Sequence, residues 1–322
     1  MRIVITGGAG FLAQRLAAAI LARETLTDAT GAQRPIRQLV LLDIAPASHF
    51  GDSRVLSLAG DLADPAVIAR ALTPDTDSVF HLAAVVSGEA EADFDVGMRV
   101  NLDGTRRLLE ACRLSARPPR VVFSSTIAAL GGPLPAVVPE TQMVEPESSY
   151  GAEKAICELL VSEYSRRGFV DGVSCRVPTV AIRPGKPNSA LSSFVSGIVR
   201  EPLAGVDAIC PVPLETRVWI SSPDAATRNL LHAGRVAAAS LGGRRTVNLP
   251  GLSVTPREML DSLERLAGHD VRARVRVDVD PRTARIVGTW PGAFDVSRAL
   301  SLGFTVDRDI DEVIRQFIAE RT

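Results

Sequence analysis

Tyr150 and Lys154 stand four residues apart, a spacing that places a phenol and an ammonium on one helix face, one turn from each other. Lys154 and Lys186 are the only lysines among 36 basic side chains; every other basic position is arginine. A chain that uses arginine wherever plain positive charge suffices keeps lysine for work that a planar guanidinium cannot do. Free tyrosine ionises at about pH 10, and a nearby ammonium favours the phenolate and lowers that value. Such a tyrosine can take a proton from an alcohol near neutral pH. A hydroxyl donor is still needed to orient the alcohol oxygen, and Ser124-Ser125-Thr126 offers three candidates at the end of an apolar run.

A second constellation suits a dinucleotide. Thr6-Gly7-Gly8-Ala9-Gly10-Phe11-Leu12-Ala13 ends the first apolar run and opens an amphipathic stretch. Gly7 permits a tight turn, Gly10 lets backbone approach a pyrophosphate, and Ala13 is small enough for helix to pack on strand. Asp43, which closes Leu39-Val40-Leu41-Leu42, is the expected acceptor for the adenosine ribose hydroxyls and repels a 2′-phosphate, favouring NAD over NADP. It lies 30 residues beyond Ala13, where roughly 20 is usual, because residues 24–37 read as a loop insertion. Arg34 and Arg37 in that insertion read as solvated loop residues, with an NADP contact as the alternative. Asp61 has two readings: a contact to the adenine amino group, or a turn-capping aspartate.

These groups need a scaffold that gathers strand ends. Apolar runs at Arg2–Thr6, Gln38–Leu42, Arg54–Leu58, Asp77–Leu82, Arg120–Ser124 and Gly172–Val177 read as strands. Helical stretches near 11–22, 64–71, 96–115 and 148–167 separate them. Nearly all-apolar strands alternating with helices predict an α/β fold, a doubly wound parallel sheet covered on both faces, whose sites collect at the strand C-termini. Prolines cluster after residue 178, so the expected division is a dinucleotide-binding domain over 1–177 and a smaller substrate-binding domain over 178–322. Residues of about 216–250 are expected to return in part to the first, with Arg245–Leu249 as a strand. Pro256–Ala267 and Asp309–Ile318 read as helices.

Composition excludes several classes. A formal net charge of -1 gives no electrostatic case for nucleic acid or an anionic membrane. Four scattered cysteines and four scattered histidines show neither disulfide nor metal-ligand spacing, so no metal is expected. No apolar run approaches the roughly 20 residues of a membrane span, and no signal peptide is seen, so the expected location is the cytoplasm.

Taken together, Thr6–Ala13, Asp43, Asp61, His81-Leu82-Ala83-Ala84, Asn101, Ser124–Thr126 and Tyr150/Lys154 resemble the extended short-chain dehydrogenase/reductase family. The resemblance covers about the first 180 residues. It implies a Rossmann domain with tightly bound NAD, Tyr150 as acid/base, Lys154 as its partner and a Ser/Thr as third member. Counting back from Gly131 points to Thr126 for that member, and counting back from Tyr150 points to Ser125. Implied cofactor contacts are Gly7, Gly10, Phe11, Leu12, Asp43, Asp61, Leu62, Ala83, Ala84, Asn101, Tyr150, Lys154 and Val177. A homodimer through helices 96–115 and 148–167 is implied in the same way.

Two departures set the chain apart from relatives that act on nucleotide sugars. Ala129-Leu130-Gly131 replaces the usual Val-Tyr-Gly, and Thr179-Val180-Ala181-Ile182-Arg183-Pro184 replaces Asn-Val-Tyr-Gly-Pro. The segment from Arg176 to Leu203 instead resembles dehydrogenases, similar to uronate dehydrogenases, that oxidise a small hydroxy acid at C2. Arg183 and Lys186 form a basic pair suited to a carboxylate, with an ion pair bracing the loop as the plainer reading. Ser87, Ser125, Thr126 and Thr179 complete the expected substrate contacts. The leading expectation is NAD-dependent oxidation of a small sugar acid. A nucleotide-sugar epimerase or dehydratase recycling bound NAD is the second reading, and an NAD-sensing binder without turnover the third.

Overall fold

The computed structural model describes residues 1–48, 50–185 and 190–321. Seven strands form the central sheet: β1 (Arg2–Thr6), β2 (Gln38–Asp43), β3 (Val55–Ala59), β4 (Ser78–His81), β5 (Arg120–Thr126), β6 (Asp171–Val177) and β7 (Thr246–Asn248). Their spatial order is β7-β6-β5-β4-β1-β2-β3, and every pairing is parallel. The fold is thus an α/β doubly wound parallel sheet, in which crossover helices return the chain to start each next strand in the same direction. Ile3, Val4, Ile5, Leu39, Val40 and Leu41 are all fully buried, the signature of strands covered on both faces.

The helices that matter for the site are α1 (Phe11–Leu21), α2 (Pro65–Ala71), α3 (Gly104–Arg113), α4 (Ser149–Arg166) and α5 (Pro223–Ala233). Asp64 caps α2 by accepting from Ala66 N, with Pro65 at the first helical position. Ser148 caps α4 by accepting from Gly151 N at 3.1 Å, which fixes where the Tyr150/Lys154 turn begins. The helix expected over 96–115 is interrupted: Met98–Asp103 is π-helical before α3 begins. The wide turn coincides with the Asn101 carbonyl, which accepts from the Thr105 hydroxyl at 2.5 Å and the Cys157 thiol at 3.4 Å. π-bulges of this kind gather at functional sites.

A further difference concerns the insertion. Residues 24–37 are not a plain loop: Thr25–Thr27 pairs antiparallel with Gln33–Pro35. Asp28 organises the connecting turn, accepting from Thr30 N, Thr30 Oγ1 and Ala32 N, and Gly31 supplies its positive φ of 89°. The chain after 178 is interleaved. Thr179–Val180, Val218–Ser221 and Leu252–Val254 make a three-stranded sheet, whereas α5 packs on α1 and β7 joins the central sheet. A separate apolar cluster around Ile198, Ile220, Leu260, Ile314 and Phe317 holds the C-terminal elements together.

Candidate active site

A cleft of about 370 Å³ opens where the C-terminal ends of β1, β4, β5 and β6 meet the C-terminal elements. Gly7, Gly10, Phe11 and Leu12 line one side; Ser125, Thr126, Tyr150 and Val177 line another; Ala84 and Ser87, then Thr179 and Arg183, complete it. Residues predicted from six separate stretches of sequence therefore share one cavity. Lys186 lies outside the described residues. A larger cavity of about 490 Å³ lies elsewhere, between α5 and the 25–35 hairpin, and none of the predicted site residues lines it.

The turn after β1 is built for close approach. Gly7 has φ of 70°, and a Cβ there would sit 2.8 Å from Ala83 N. Gly8 is equally constrained, since a Cβ would fall 2.8 Å from the Leu41 side chain. The Gly7-Gly8 pair is the sequence signal for this second close approach. Ala13 is buried against the sheet, as a small third position requires. No side chain caps α1, whose N-terminal cap is Gly10, so its first N–H groups are open to an anion. Asp43 Oδ2 accepts from Ala9 N at 3.0 Å, holding the carboxylate against the glycine-rich turn. These features fit a dinucleotide: a donor-rich helix start for pyrophosphate and a carboxylate at the end of β2 for ribose.

Arg34 and Arg37 are committed elsewhere. Arg34 pairs with Asp77 at 2.9 Å and Arg37 with Asp75 at 3.4 Å, at the N-terminal side of β4 and away from the turn. Asp61 takes on the turn role, accepting from Ala63 N at 2.8 Å, and also pairs with Arg99 at 2.5 Å. Burial raises the Asp61 carboxyl, but these two contacts more than offset it and the pKa falls. Leu62 is buried under the same turn.

Behind the cleft, one chain of hydrogen bonds fixes a tautomer. Thr105 donates its proton to Asn101 O, so it accepts from His81 Nε2 at 2.8 Å; His81 Nδ1 then accepts from Thr6 Oγ1 at 2.6 Å, and Thr6 Oγ1 accepts from Ala83 N at 3.2 Å. Burial, with Lys154 nearby, pushes His81 down to about 3, so this imidazole is neutral and a brace for Ala83. Asn101 does not face the cleft. It is 2% exposed, accepts from Val85 N at 2.9 Å, and donates to Glu153 Oε2 at 2.7 Å, bracing the loop that carries Ala84 and Ser87. Glu153 is buried, and burial raises its pKa despite the Asn101 hydrogen bond. Its place three residues after Tyr150 was the only sequence signal for it.

The hydroxyl candidates separate along β5, whose side chains alternate between faces. Ser125 points into the sheet–helix layer and donates to buried Glu158 at 2.5 Å; Glu158 also takes both ends of the Arg176 guanidinium at 2.9 and 2.7 Å. Thr126 Oγ1 accepts from Ala128 N at 3.1 Å, which leaves its own proton uncommitted. Ser124 contributes its carbonyl, which accepts from Lys154 Nζ at 2.9 Å. Glu158 and Arg176 were invisible as site residues because only tertiary contact joins them.

Tyr150 lines the cleft, and its phenol makes no hydrogen bond among the described residues. Lys154 Nζ lies 5.6 Å from the Tyr150 ring centroid and 4.7 Å from that of Phe123. The expected lowering of the tyrosine pKa is reversed. Burial, with Glu153 adding to it, pushes Tyr150 up to about 12, and burial pushes Lys154 down to about 8. Desolvation of both groups outweighs their mutual attraction at this separation. Arg183 has no carboxylate partner among the described residues, so the bracing ion pair is not formed; burial and then Arg200 lower its pKa.

A family model for the NAD dependent epimerase/dehydratase family matches residues 3–242. The chain belongs to that family. Among its relatives, a D-erythronate dehydrogenase of Cupriavidus necator is 54% identical over 320 residues, covering 99% of this chain and 98% of that protein. A D-erythronate dehydrogenase of Haemophilus influenzae is 44% identical, covering 99% of each. A crystal structure described as a nucleoside-diphosphate-sugar epimerase from Agrobacterium tumefaciens superposes with a TM-score of 0.93 at 41% identity, covering 99% of this chain and 94% of that one. The family's fold and cofactor class thus agree with the turn, the acid at Asp43 and the Tyr150/Lys154 pair.

Proposed function

We propose that this family member oxidises the C2 hydroxyl of D-erythronate to 2-dehydro-D-erythronate. Gly7, Gly10, the start of α1 and Asp43 would hold NAD, which when bound supplies the hydride acceptor. The chain's own residues divide the remaining work. Arg183 receives the carboxylate as a charge-assisted, two-pronged pair. Thr126 donates its free proton to the C2 oxygen. Tyr150 in its phenolate form takes the hydroxyl proton, and Lys154, tethered to the Ser124 carbonyl, supplies positive charge beside it. Ser87 and Thr179, which line the same cleft, would meet the remaining hydroxyls. Ser125 and Asn101 are positioning residues in this reading, through Glu158 and Val85.

One observation carries it: among the described residues, a guanidinium without a carboxylate partner shares the cleft with a phenol that makes no hydrogen bond and an uncommitted threonine proton. Two full-length relatives named for D-erythronate support the substrate. The epimerase reading draws on the Agrobacterium structure, yet Thr179 stands where sugar-nucleotide relatives carry asparagine. Incubation with NAD and D-erythronate should produce NADH absorbance stoichiometric with keto acid. No NADH from four- to six-carbon aldonic and uronic acids, with interconversion of a UDP-hexose instead, would replace this reading with the epimerase.

The same reading includes a homodimer and a cytoplasmic location. Ile156 and Leu159 on α4 are 41% and 64% exposed, an apolar stripe suited to a second copy, and sedimentation should give twice the chain mass. All four cysteines are buried and unpaired, as a reducing compartment favours. No helix of the described residues is long and apolar enough to cross a membrane.

A further inference from the structure

The chain has two tryptophans, and their surroundings differ. Trp219 is 6% exposed, its indole N–H reaches Leu249 O at 3.4 Å, and its ring packs on Phe294 at 5.4 Å between centroids. That is a core tryptophan with its polar handle satisfied. Trp290 lines the cleft with Arg183, Thr126 and Tyr150, and its indole N–H has no partner among the described residues.

Its backbone is held on both sides. Trp290 N donates to Val287 O at 3.1 Å, at the end of helix Pro281–Val287. Pro291 follows and lines the same cleft. Gly292 then passes so close to Arg217 that a Cβ would lie 2.8 Å from the Arg217 Cβ. Val138 N donates to Ala293 O at 2.9 Å, and Asp295 N donates back to Val138 O at 2.9 Å. Trp290, which also packs on the C-terminal apolar cluster, is thereby held at the edge of the cleft by a pinned segment, with an indole N–H that has no partner among the described residues. An aromatic wall of this kind packs on the C–H faces of a polyol and donates to one of its hydroxyls.

Resting on the functional reading above, we infer that Trp290 closes the substrate end of the cleft and sets the length of acid that is oxidised, its N–H donating to a substrate hydroxyl. The ring limits the carbon chain beyond the reacting carbon, and the donor favours a hydroxylated chain over an aliphatic one.

The test compares kcat/KM for D-erythronate and six-carbon D-gluconate in the wild type, Trp290→Phe and Trp290→Ala, each saturated with NAD. Trp290→Ala should raise the gluconate-to-erythronate ratio at least tenfold. Trp290→Phe, which keeps a ring but loses the donor, should hold that ratio near the wild-type value while KM for D-erythronate rises about tenfold, as loss of one hydrogen bond in a cleft predicts. Trp290→Leu opens the same wall if the alanine variant does not fold. A ratio within twofold of wild type in the alanine or leucine variant overturns the length role, and an unchanged KM in Trp290→Phe overturns the donor role. Wild-type turnover of D-erythronate tests the functional reading by itself, so the two failures are separable.

Discussion

Replacing Arg183 with alanine separates a binding role from a structural one. The Arg183 guanidinium has no carboxylate partner among the described residues, is partly buried and sits near Arg200. The local hydrogen bonds use its backbone: Arg183 N donates to Ser196 Oγ at 3.1 Å, and Arg200 Nη1 donates to Arg183 O at 2.9 Å. Both survive Arg183→Ala. Truncation thus removes no ion pair and relieves a like-charge contact, so stability should move by no more than about 0.5 kcal/mol. A bound carboxylate would lose two charge-assisted hydrogen bonds. At about 1.5 kcal/mol each that is roughly 3 kcal/mol, or on the order of a hundredfold in kcat/KM. The assay is initial-rate NADH formation with D-erythronate and with the neutral polyol erythritol, alongside thermal melting. The acid should lose about a hundredfold, mostly in KM, and erythritol less than threefold. Equal losses on both substrates, or a melting temperature that falls by many degrees, would show that Arg183 braces the fold and does not clamp a carboxylate.

Other variants probe the rest of the cleft. Thr126→Val should cut kcat by about a hundredfold or more with NAD affinity unchanged, whereas Ser125→Ala should cost about 1–3 kcal/mol of stability by leaving buried Glu158 short of a donor; chemical denaturation and turnover together decide, and the reverse pattern would exchange the two roles. Lys154 is held at about 8 against an unfolded value of 10.5, so its buried charge costs stability in full below pH 8, and the cost disappears as pH rises toward 10.5. Lys154→Met should therefore raise the melting temperature at pH 7, by a net gain of roughly 2 kcal/mol after loss of the Ser124 hydrogen bond, and abolish turnover; the gain should shrink toward pH 10, and a destabilised variant at pH 7 would contradict the burial argument. With Tyr150 pushed up to about 12, oxidation should climb with pH across the alkaline range while keto-acid reduction stays level or falls; an oxidation rate flat from pH 7 to 10 would exclude Tyr150 as the base. Asp43→Ser should lower the preference for NAD over NADP by more than tenfold in paired assays, and no change would remove Asp43 from the ribose contact.

Much of this architecture follows from local chemistry. The apolar runs ending in Thr6, Leu42, Thr126 and Val177 are strands because residues buried on both faces leave little room for alternation, and helices between them leave a parallel sheet as the packing that covers every apolar face. Gly7, Ala13 and Asp43 were legible because each answers a steric or electrostatic demand made within one βαβ unit. The hairpin in 24–37 was not, since three-residue strands carry too little periodicity to stand out from a polar loop. The π-helical turn at Met98–Asp103 coincides with a thiol and a hydroxyl brought to the Asn101 carbonyl, one of them 56 residues away.

What the sequence determined by itself is the set of chemical groups and the strand ends that present them: a phenol and an ammonium one turn apart, hydroxyls after β5, glycines after β1. Tertiary structure decided which of those groups are free to act. Ser125 and Thr126 are adjacent in the chain, yet pleating sends one to Glu158 and leaves the other's proton available to the cleft. Among the described residues no acid folds against Arg183, which leaves its guanidinium without a carboxylate partner, and Asn101 became a brace because Val85 and Glu153 meet it. Even the ionisation of Tyr150 reversed direction, because spacing along a helix fixes how near two charges lie, whereas the folded surroundings fix how much water each one loses.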